Sequence, residues 1–525
     1  MGYFVTVKYE VSEYTINHTK TNMTYDQLID HTKHASLLGS TASILGWDQE
    51  ALMPVKGLAH RTNQMAQLAK LTHQMNIDSR IGGWLDECEA DATLTGDPLS
   101  ESAVNLRELR RGYDKATKLP EALVVEMAQT TSQAKHAWAE ARKVNDYNAF
   151  KPWLAKVVDL NQRKAECFGW DKANGEPWDA LADSFEAGMT AASVAQVFTP
   201  LRERLVPLLA DILGSKAGPS NAFNELKLPI EQQKKFVKAI SAAIGFDYDR
   251  GRLDESTHPF CSGSHCNDVR MTTRFHEDNI NDALGSTLHE SGHGIYEQGL
   301  LEAHIGTPMG RAVGLSIHES QSRMWENQVG RSQAFWKWCY PKLAEYFGDA
   351  TASLTQEQIY GGANIVSPGL IRVEADEATY NLHIMIRFEV ERLLMKGDLL
   401  VDDLPEVWNA KYKEYLQVDV PDDTRGCMQD IHWSMGAISY FPTYTMGNLY
   451  SAQFFEAAKD QLGDLDAMFA AGDFTPLRSW LNTNIHAHGQ RYRSADLVEH
   501  VTGKPLSADP LMRHLEGKLR PLYGV

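Results

Sequence analysis

Residues 281–299 read NDALGSTLHESGHGIYEQG. Leu284, Leu288 and Ile295 recur at helical spacing and mark the buried side of a helix. On that helix His289 and His293 stand one turn apart, so both imidazoles leave the same side and can converge on one ion. Such a pair suits Zn²⁺. Glu290 follows the first His, where its carboxylate can take a proton from water and pass it to a leaving amine. A catalytic zinc needs a third protein ligand and an open position, at which bound water has its pKa lowered to about 7. Chance is a poor account, because His occurs 19 times in 525 residues and two at this spacing around a Glu rarely coincide.

The same periodicity extends in both directions. Leu28, His31, Ala35 and Leu38 repeat at three and four, as do Leu58, Met65, Leu68 and Leu71. Helix-length segments are predicted at about 101–118, 120–143, 187–214, 230–244, 281–299, 318–347, 373–397, 404–416, 434–461 and 473–482. Strand signals concentrate between about 257 and 277, where the alternation suits a short hairpin or edge strands. No internal repeat, low-complexity run or Gly/Ser-rich linker divides the chain. The predicted fold is mainly α: one large helical body with two lobes around a groove, and a small β hairpin or sheet near the metal residues. It is expected to form a single domain over 24–525 behind a loose arm at 1–23, with Met23 as an alternative start.

Composition narrows the function. With 43% hydrophobic and 23% charged residues and 12 Trp, the chain can bury a large core. Its 69 acidic residues against 51 basic ones leave a formal charge of -18, which repels phosphate backbones and anionic lipid. Nucleic acid and membrane are therefore excluded as expected partners. Six Cys without a C-x-x-C pair do not make a disulfide framework, and no secretory signal precedes the helices. A reducing cytoplasm is the expected setting.

The third metal ligand does not lie in the motif. A metzincin continuation would place His where this chain has Gly299 and Gly where it has Tyr296. Glu319, in Ser316-Ile-His-Glu319-Ser-Gln321, is the natural carboxylate, but Ser316-x-x-Glu319 also reads as a capping box that needs no metal. His318 and Glu302 are rival ligands. The cluster His258-Pro-Phe-Cys261-Ser-Gly-Ser-His265-Cys266 has none of the standard structural-zinc spacings, so its thiols are read as buried or idle.

Several further motifs stand in order along the chain. His258-Pro259-Phe260, Asp268-Val-Arg270-Met-Thr272, His289 to His293, His318-Glu319-Ser320 with Gln321, Ile371-Arg372-Val-Glu-Ala375-Asp376, and Gly426-Cys-Met-Gln429-Asp430-Ile-His432-Trp433 together resemble the signature set of the M32 metallocarboxypeptidases, the thermostable carboxypeptidase 1 family. The resemblance runs from about Tyr25, through Gly46-Trp47-Asp48-Gln49-Glu50 and Met53-Pro54, to the C terminus. One departure is Ser439 ahead of Tyr440-Phe441-Pro442, where Gly is expected; it bears on the local backbone. The resemblance implies a helical fold similar to neurolysin and angiotensin-converting enzyme, with a deep groove between lobes and commonly a homodimer. It assigns the zinc to His289, His293 and Glu319, with Co²⁺ as a possible substitute. It further implies removal of single residues from peptide C termini with broad preference.

The remaining roles follow from chemistry. Hydrolysis through a tetrahedral intermediate needs donors aimed at the developing oxyanion, and His432, Tyr440 and Tyr444 are the candidates. Core packing with a satisfied hydroxyl is the alternative for either Tyr. An exopeptidase must also hold a free carboxylate, which suits the planar fork of Arg. Arg372, with Gln429 helping, is the expected clamp. Arg270 is the second choice, with a structural pair to Asp268 as its alternative. His258, held out of helix by Pro259, is read as a groove contact or as strand-end packing. Asp430 either orients His432 or caps a helix. A zinc endopeptidase or oligopeptidase of the same chemistry is the alternative function, and a non-enzymatic helical binding protein is disfavoured because metal binding alone would not require Glu290.

Overall fold

The structure is a computed structural model that describes residues 23–525. The expected N-terminal arm lies outside the described residues except for Met23, which opens the helix Met23–Ala51. Helices begin where the sequence supplies caps. Ser100 accepts the Ala103 amide at the start of Glu101–Lys118, whose last turn carries Lys115 and Lys118 against the helix dipole. Asn279 likewise accepts the Asp282 amide and opens the motif helix Ile280–Gly299.

One large hydrophobic core runs from Ala141 to Tyr523, and a small satellite of Leu28, Ile81, Leu85, Cys88 and Leu106 lies under the N-terminal helices. No helix among the described residues is long and apolar enough to cross a membrane.

The β element is larger than a hairpin. Strands β1 (Gly251–Glu255), β2 (Cys261–His265) and β3 (Asp268–Thr273) form a sheet in the order β1-β3-β2. β2 pairs with β3 antiparallel, as expected, while β1 adds in parallel from outside the predicted window. Its sequence, GRLDE, has little strand propensity, so the partner strand decides its state. Val269 and Met271 are buried, and Met271 meets the Ser291 hydroxyl on the motif helix at 3.6 Å. Arg270 therefore points to the opposite face.

Three predicted helices change shape near the site. Instead of one helix over 318–347, the chain forms Leu315–Arg323, a π-helical turn Met324–Val329, and Gln333–Phe347. The helix predicted from 373 starts at Thr379, because Asp376 accepts the Ala378 and Thr379 amides and caps it there. The helix predicted from 434 starts at Pro442, after Gly436 and Ser439 take positive φ of 74° and 75°. The helix Tyr147–Phe168 is not among the segments read from periodicity; Pro152 interrupts its pattern but not its course.

Two glycines bring the helix of the His pair and that of Glu319 together. A Cβ on Gly292 of the motif helix would lie 2.5 Å from the Gln321 carbonyl oxygen, so this helix touches the Glu319 helix, Leu315–Arg323, backbone to side-chain-free backbone. A Cβ on Gly447, in Pro442–Leu462, would lie 2.5 Å from Glu319 Cγ. Any larger residue at either position would displace the carboxylate from the His pair.

Candidate metal centre and active site

His289, His293 and Glu319 come together, and they are the one group among the described residues whose ligand atoms could share an ion. Glu319 Oε2 lies 3.6 Å from His289 Nε2 and 3.4 Å from His293 Nε2. A tetrahedral ion about 2.0–2.1 Å from each ligand holds its ligand atoms roughly 3.3–3.4 Å apart, so these residues fit a divalent metal. The other ends of the ligands are occupied. His289 Nδ1 lies 2.9 Å from Glu326 Oε2, and Glu319 Oε1 accepts from Arg323 Nε at 2.6 Å. Nε2 of both rings faces Oε2 of the carboxylate, which also accepts the Ser322 hydroxyl at 3.1 Å.

Local contacts distinguish the three candidates for the third ligand. The Ser316–Glu319 capping box does not form: the helix N-cap is Gly314, and the buried carboxylate of Glu186 accepts the Ser316 amide at 2.8 Å. Glu319 is thereby free to face the His pair. His318 has Nδ1 on His293 and Nε2 on Glu297, so neither nitrogen is left for an ion. Glu302 sits exposed in the 3₁₀ turn Glu302–His304, outside the cluster.

Charge in the cluster calls for a cation. Burial opposes a proton on His289, yet Glu319 and the Glu326 hydrogen bond outweigh it and raise the pKa, a charge that a metal ion would supply instead. His293 is pushed down to about 3 by burial and by His318, which keeps it in the neutral form that a metal would require. Burial also lifts Glu290 to about 7, with Glu319 and Glu326 adding to the rise and His289 opposing it. Only 6% of Glu290 is exposed, and its carboxylate accepts no hydrogen bond from the described residues.

Arg372 is buried beside this cluster. Its Nε and Nη2 donate to Asp430 Oδ1 at 3.0 and 2.8 Å, and Nη1 donates to the Tyr380 hydroxyl at 3.1 Å. Arg323, which holds Glu319, stacks on the same Tyr380 ring at 4.3 Å. Asp430 Oδ2 takes a second guanidinium, Arg387 Nε, at 2.7 Å, so two buried cations share one carboxylate. Gln429 Oε1 accepts the Arg372 amide at 2.9 Å while its Nε2 donates to the Leu370 carbonyl at 2.9 Å. Gln429 thus holds the backbone of Arg372 and has no free donor to offer outward.

The aromatic candidates gather around His432. Its ring centre lies 5.4 Å from Tyr440, 4.5 Å from Phe441 and 6.4 Å from Tyr444, and the Tyr444 ring lies 5.2 Å from the Arg372 guanidinium carbon. Burial lowers His432 to about 4, so it is a neutral imidazole with one N–H to donate. Its Nδ1 is buried without a partner among the described residues and stands 3.9 Å from Asp430, beyond hydrogen-bond reach. Asp430 therefore serves the two arginines. Burial raises the pKa of Tyr440 and Tyr444, and the charge of Glu319 raises both further, so both phenols keep their protons as donors.

Ser439 explains its own departure. Its φ of 75° is the left-handed conformation that glycine adopts without strain. Here the Ser439 amide donates to Glu391 Oε2 at 3.0 Å and its hydroxyl donates to the Trp178 carbonyl at 3.2 Å. Glu391 also accepts from the indoles of Trp433 and Trp178, which anchors the loop that carries His432 and Tyr440.

The remaining expectations divide. His258 is within electrostatic reach of His289 and Arg372, and burial followed by the charge of Arg274 lowers its pKa. Arg270 does not join the cluster: its Nε and Nη2 close on Asp268 at 2.8 and 3.0 Å, and its face lies 4.3 Å over Trp47. Arg323, Glu326, Glu297, Tyr380 and Arg387 belong to the site without having been read from sequence. Arg323 carried a signal, four residues beyond Glu319 on one helix face.

The whole chain has close relatives. Residues 27–519 match the family model described as carboxypeptidase Taq (M32) metallopeptidase. Thermostable carboxypeptidase 1 of Thermus thermophilus is 46% identical over 506 residues, 95% of this chain and 99% of that protein. Carboxypeptidase 1 of Bacillus subtilis is 34% identical over 95% of this chain and 99% of its own length. Among solved structures, the M32 carboxypeptidase from Deinococcus radiodurans R1 superposes with a TM-score of 0.92 at 39% identity, covering 96% of this chain and 100% of that one. A carboxypeptidase of Pyrococcus furiosus gives 0.91 at 35% identity over 96% of this chain and 100% of that one. With this agreement over nearly its full length, and a cluster of His289, His293 and Glu319 that could hold a metal ion, the chain belongs to the M32 family of metallocarboxypeptidases.

Proposed function

We propose that this metallocarboxypeptidase uses zinc, with Co²⁺ as a substitute, to release single C-terminal amino acids from peptides of broad sequence. The observation that carries the reading is the convergence of His289 Nε2, His293 Nε2 and Glu319 Oε2 beside a buried, unpartnered Glu290. Zinc held by His289, His293 and Glu319 would supply Lewis-acid chemistry there, polarising the scissile carbonyl and lowering the pKa of water toward neutral. Glu290 accepts the proton of the attacking water and returns it to the leaving amine. Tyr440, Tyr444 and His432 supply N–H or O–H donors for the developing oxyanion.

The arginines support exopeptidase action. Arg372 and Arg387 against Asp430 leave one positive charge in excess inside the protein, and Arg387 is fully buried. The terminal carboxylate of a peptide neutralises that charge through Arg372, while Asp430 and Tyr380 keep the guanidinium in place and Gln429 holds its backbone. Membership of the family supports a homodimer, and six free cysteines are consistent with a reducing cytoplasm as its setting.

The reading is tested with the zinc-loaded protein, a blocked dipeptide with a free C terminus and its C-terminal amide. The acid is expected to release its terminal residue and the amide to be a poor substrate. Equal rates on both would replace the exopeptidase by an endopeptidase of the same chemistry. A second variant tests the metal assignment: Glu319→Ala is expected to lose zinc on dialysis while its helical circular dichroism stays, because a ligand has gone and the fold has not. Stoichiometric zinc retained by that variant would remove Glu319 from the site.

A further inference from the structure

We infer that His318 and Glu297 form a positioning relay that sets the tautomer and orientation of the metal ligand His293. The inference rests on the metal reading above and concerns residues that do not touch the ion. His318 Nδ1 lies 2.5 Å from His293 Nδ1, and His318 Nε2 lies 2.7 Å from Glu297 Oε1. His293 turns Nε2 toward Glu319, so the ligating lone pair sits on Nε2 and the ring proton on Nδ1. That proton has one acceptor, His318 Nδ1. The single proton of His318 is then on Nε2, where Glu297 accepts it. Each link in the chain has a defined donor and acceptor, so the carboxylate dictates the tautomer of the ligand two rings away.

The two metal-binding histidines are thus supported differently. His289 Nδ1 meets a carboxylate directly, Glu326 Oε2 at 2.9 Å. His293 meets its carboxylate through an interposed imidazole. The surroundings are shaped for that relay. The His293 and His318 ring centres are 4.6 Å apart, and Tyr296 lies against His318 at 5.2 Å. A Cβ on Gly263 of β2 would lie 2.7 Å from Glu297 Oε2, so the strand leaves out a side chain where the carboxylate stands. Glu297 is one turn beyond His293 on the motif helix, and His318 precedes Glu319 on the next. The relay therefore also sets how these two helices face each other at the ion.

A relay of this kind raises the electron density on Nε2 and removes the rotational freedom of the ring, and loss of such supporting partners costs roughly ten- to a hundredfold in metal affinity. The test uses the full chain stripped of metal, with Zn²⁺ affinity measured by competition against a chelator and the Co²⁺ ligand-field spectrum as a second readout. His318→Ala and Glu297→Ala are expected to weaken Zn²⁺ by roughly ten- to a hundredfold. The double variant should be no weaker than His318→Ala, because the links act in series. His318→Gln, whose amide can accept from His293 and donate to Glu297, should recover most of the loss. Glu297→Gln keeps the shape and an acceptor but removes the charge, and should weaken Zn²⁺ roughly three- to tenfold with a shifted Co²⁺ spectrum. If the alanine variants do not fold, Glu297→Gln decides. Affinity within twofold of the parent together with an unchanged Co²⁺ spectrum would overturn the relay and leave a purely structural pair. If the parent protein itself fails to bind one equivalent of Zn²⁺, the metal reading falls, and that outcome is distinct from the first.

Discussion

Glu290→Gln is expected to abolish turnover while leaving the fold and the metal in place. The amide has the shape of the carboxylate and fits the same buried position, of which 6% is exposed. No ligand atom is altered, since the cluster consists of His289, His293 and Glu319. The lost property is proton acceptance. Burial has lifted the Glu290 carboxyl to about 7, which makes it a stronger base than an ordinary carboxylate and matches it to neutral pH. General-base contributions of about 10²–10⁴-fold set the minimum fall in kcat, and the second transfer, to the leaving amine, adds to it. Metal content per chain, measured beside kcat on a free-acid peptide, separates the two effects. Near-parental turnover in a variant with full metal content would rule out Glu290 as the base, and loss of metal would move it into the ligand set.

The next largest effect is one of specificity. Arg372→Ala should lower kcat/KM for free-acid substrates strongly, because the terminal carboxylate then enters without its charged partner. A charge-assisted hydrogen bond of about 1.5–3 kcal/mol corresponds to roughly ten- to a hundredfold, and a bidentate contact exceeds it. The variant also leaves Asp430 with Arg387 alone, a balanced pair in place of two cations on one carboxylate. The fold is therefore spared an unpaired buried anion. C-terminal amides, already poor substrates, should be hardly affected, so the preference for acid over amide must shrink. Arg372→Lys restores the charge without the fork and should fall between. An unchanged acid-to-amide ratio in Arg372→Ala would take Arg372 out of the clamp. Arg270 is then a weak replacement, since Asp268 and Trp47 already hold its guanidinium.

Much of this protein is legible in the chain itself, wherever the relevant residues are close in sequence. Helical periodicity predicts most of the long helices, and the i, i+4 spacing of His289 and His293 places two imidazoles on one side of a helix. The ordered motifs carry the family. Where a decision depends on distance between separate elements, sequence spacing leaves it open. From spacing alone Glu319 is the natural candidate with His318 and Glu302 as rivals, until Gly292 and Gly447 allow their helices to close, which directs Glu319 toward the His pair and turns His318 onto the back of His293. The capping box of Ser316 loses to a buried carboxylate 130 positions earlier, Glu186. A π-helical turn carries Glu326 to His289, and no periodic pattern announces it because it interrupts one. Arg270 and Arg372 look alike as motif arginines. The alternation of β3 sends the first toward Trp47, while burial with Arg387 on a single Asp430 leaves the second with charge to spare. Local pattern is written residue by residue, whereas the meeting of distant groups is set by how closely backbones can approach, and only the folded packing decides that.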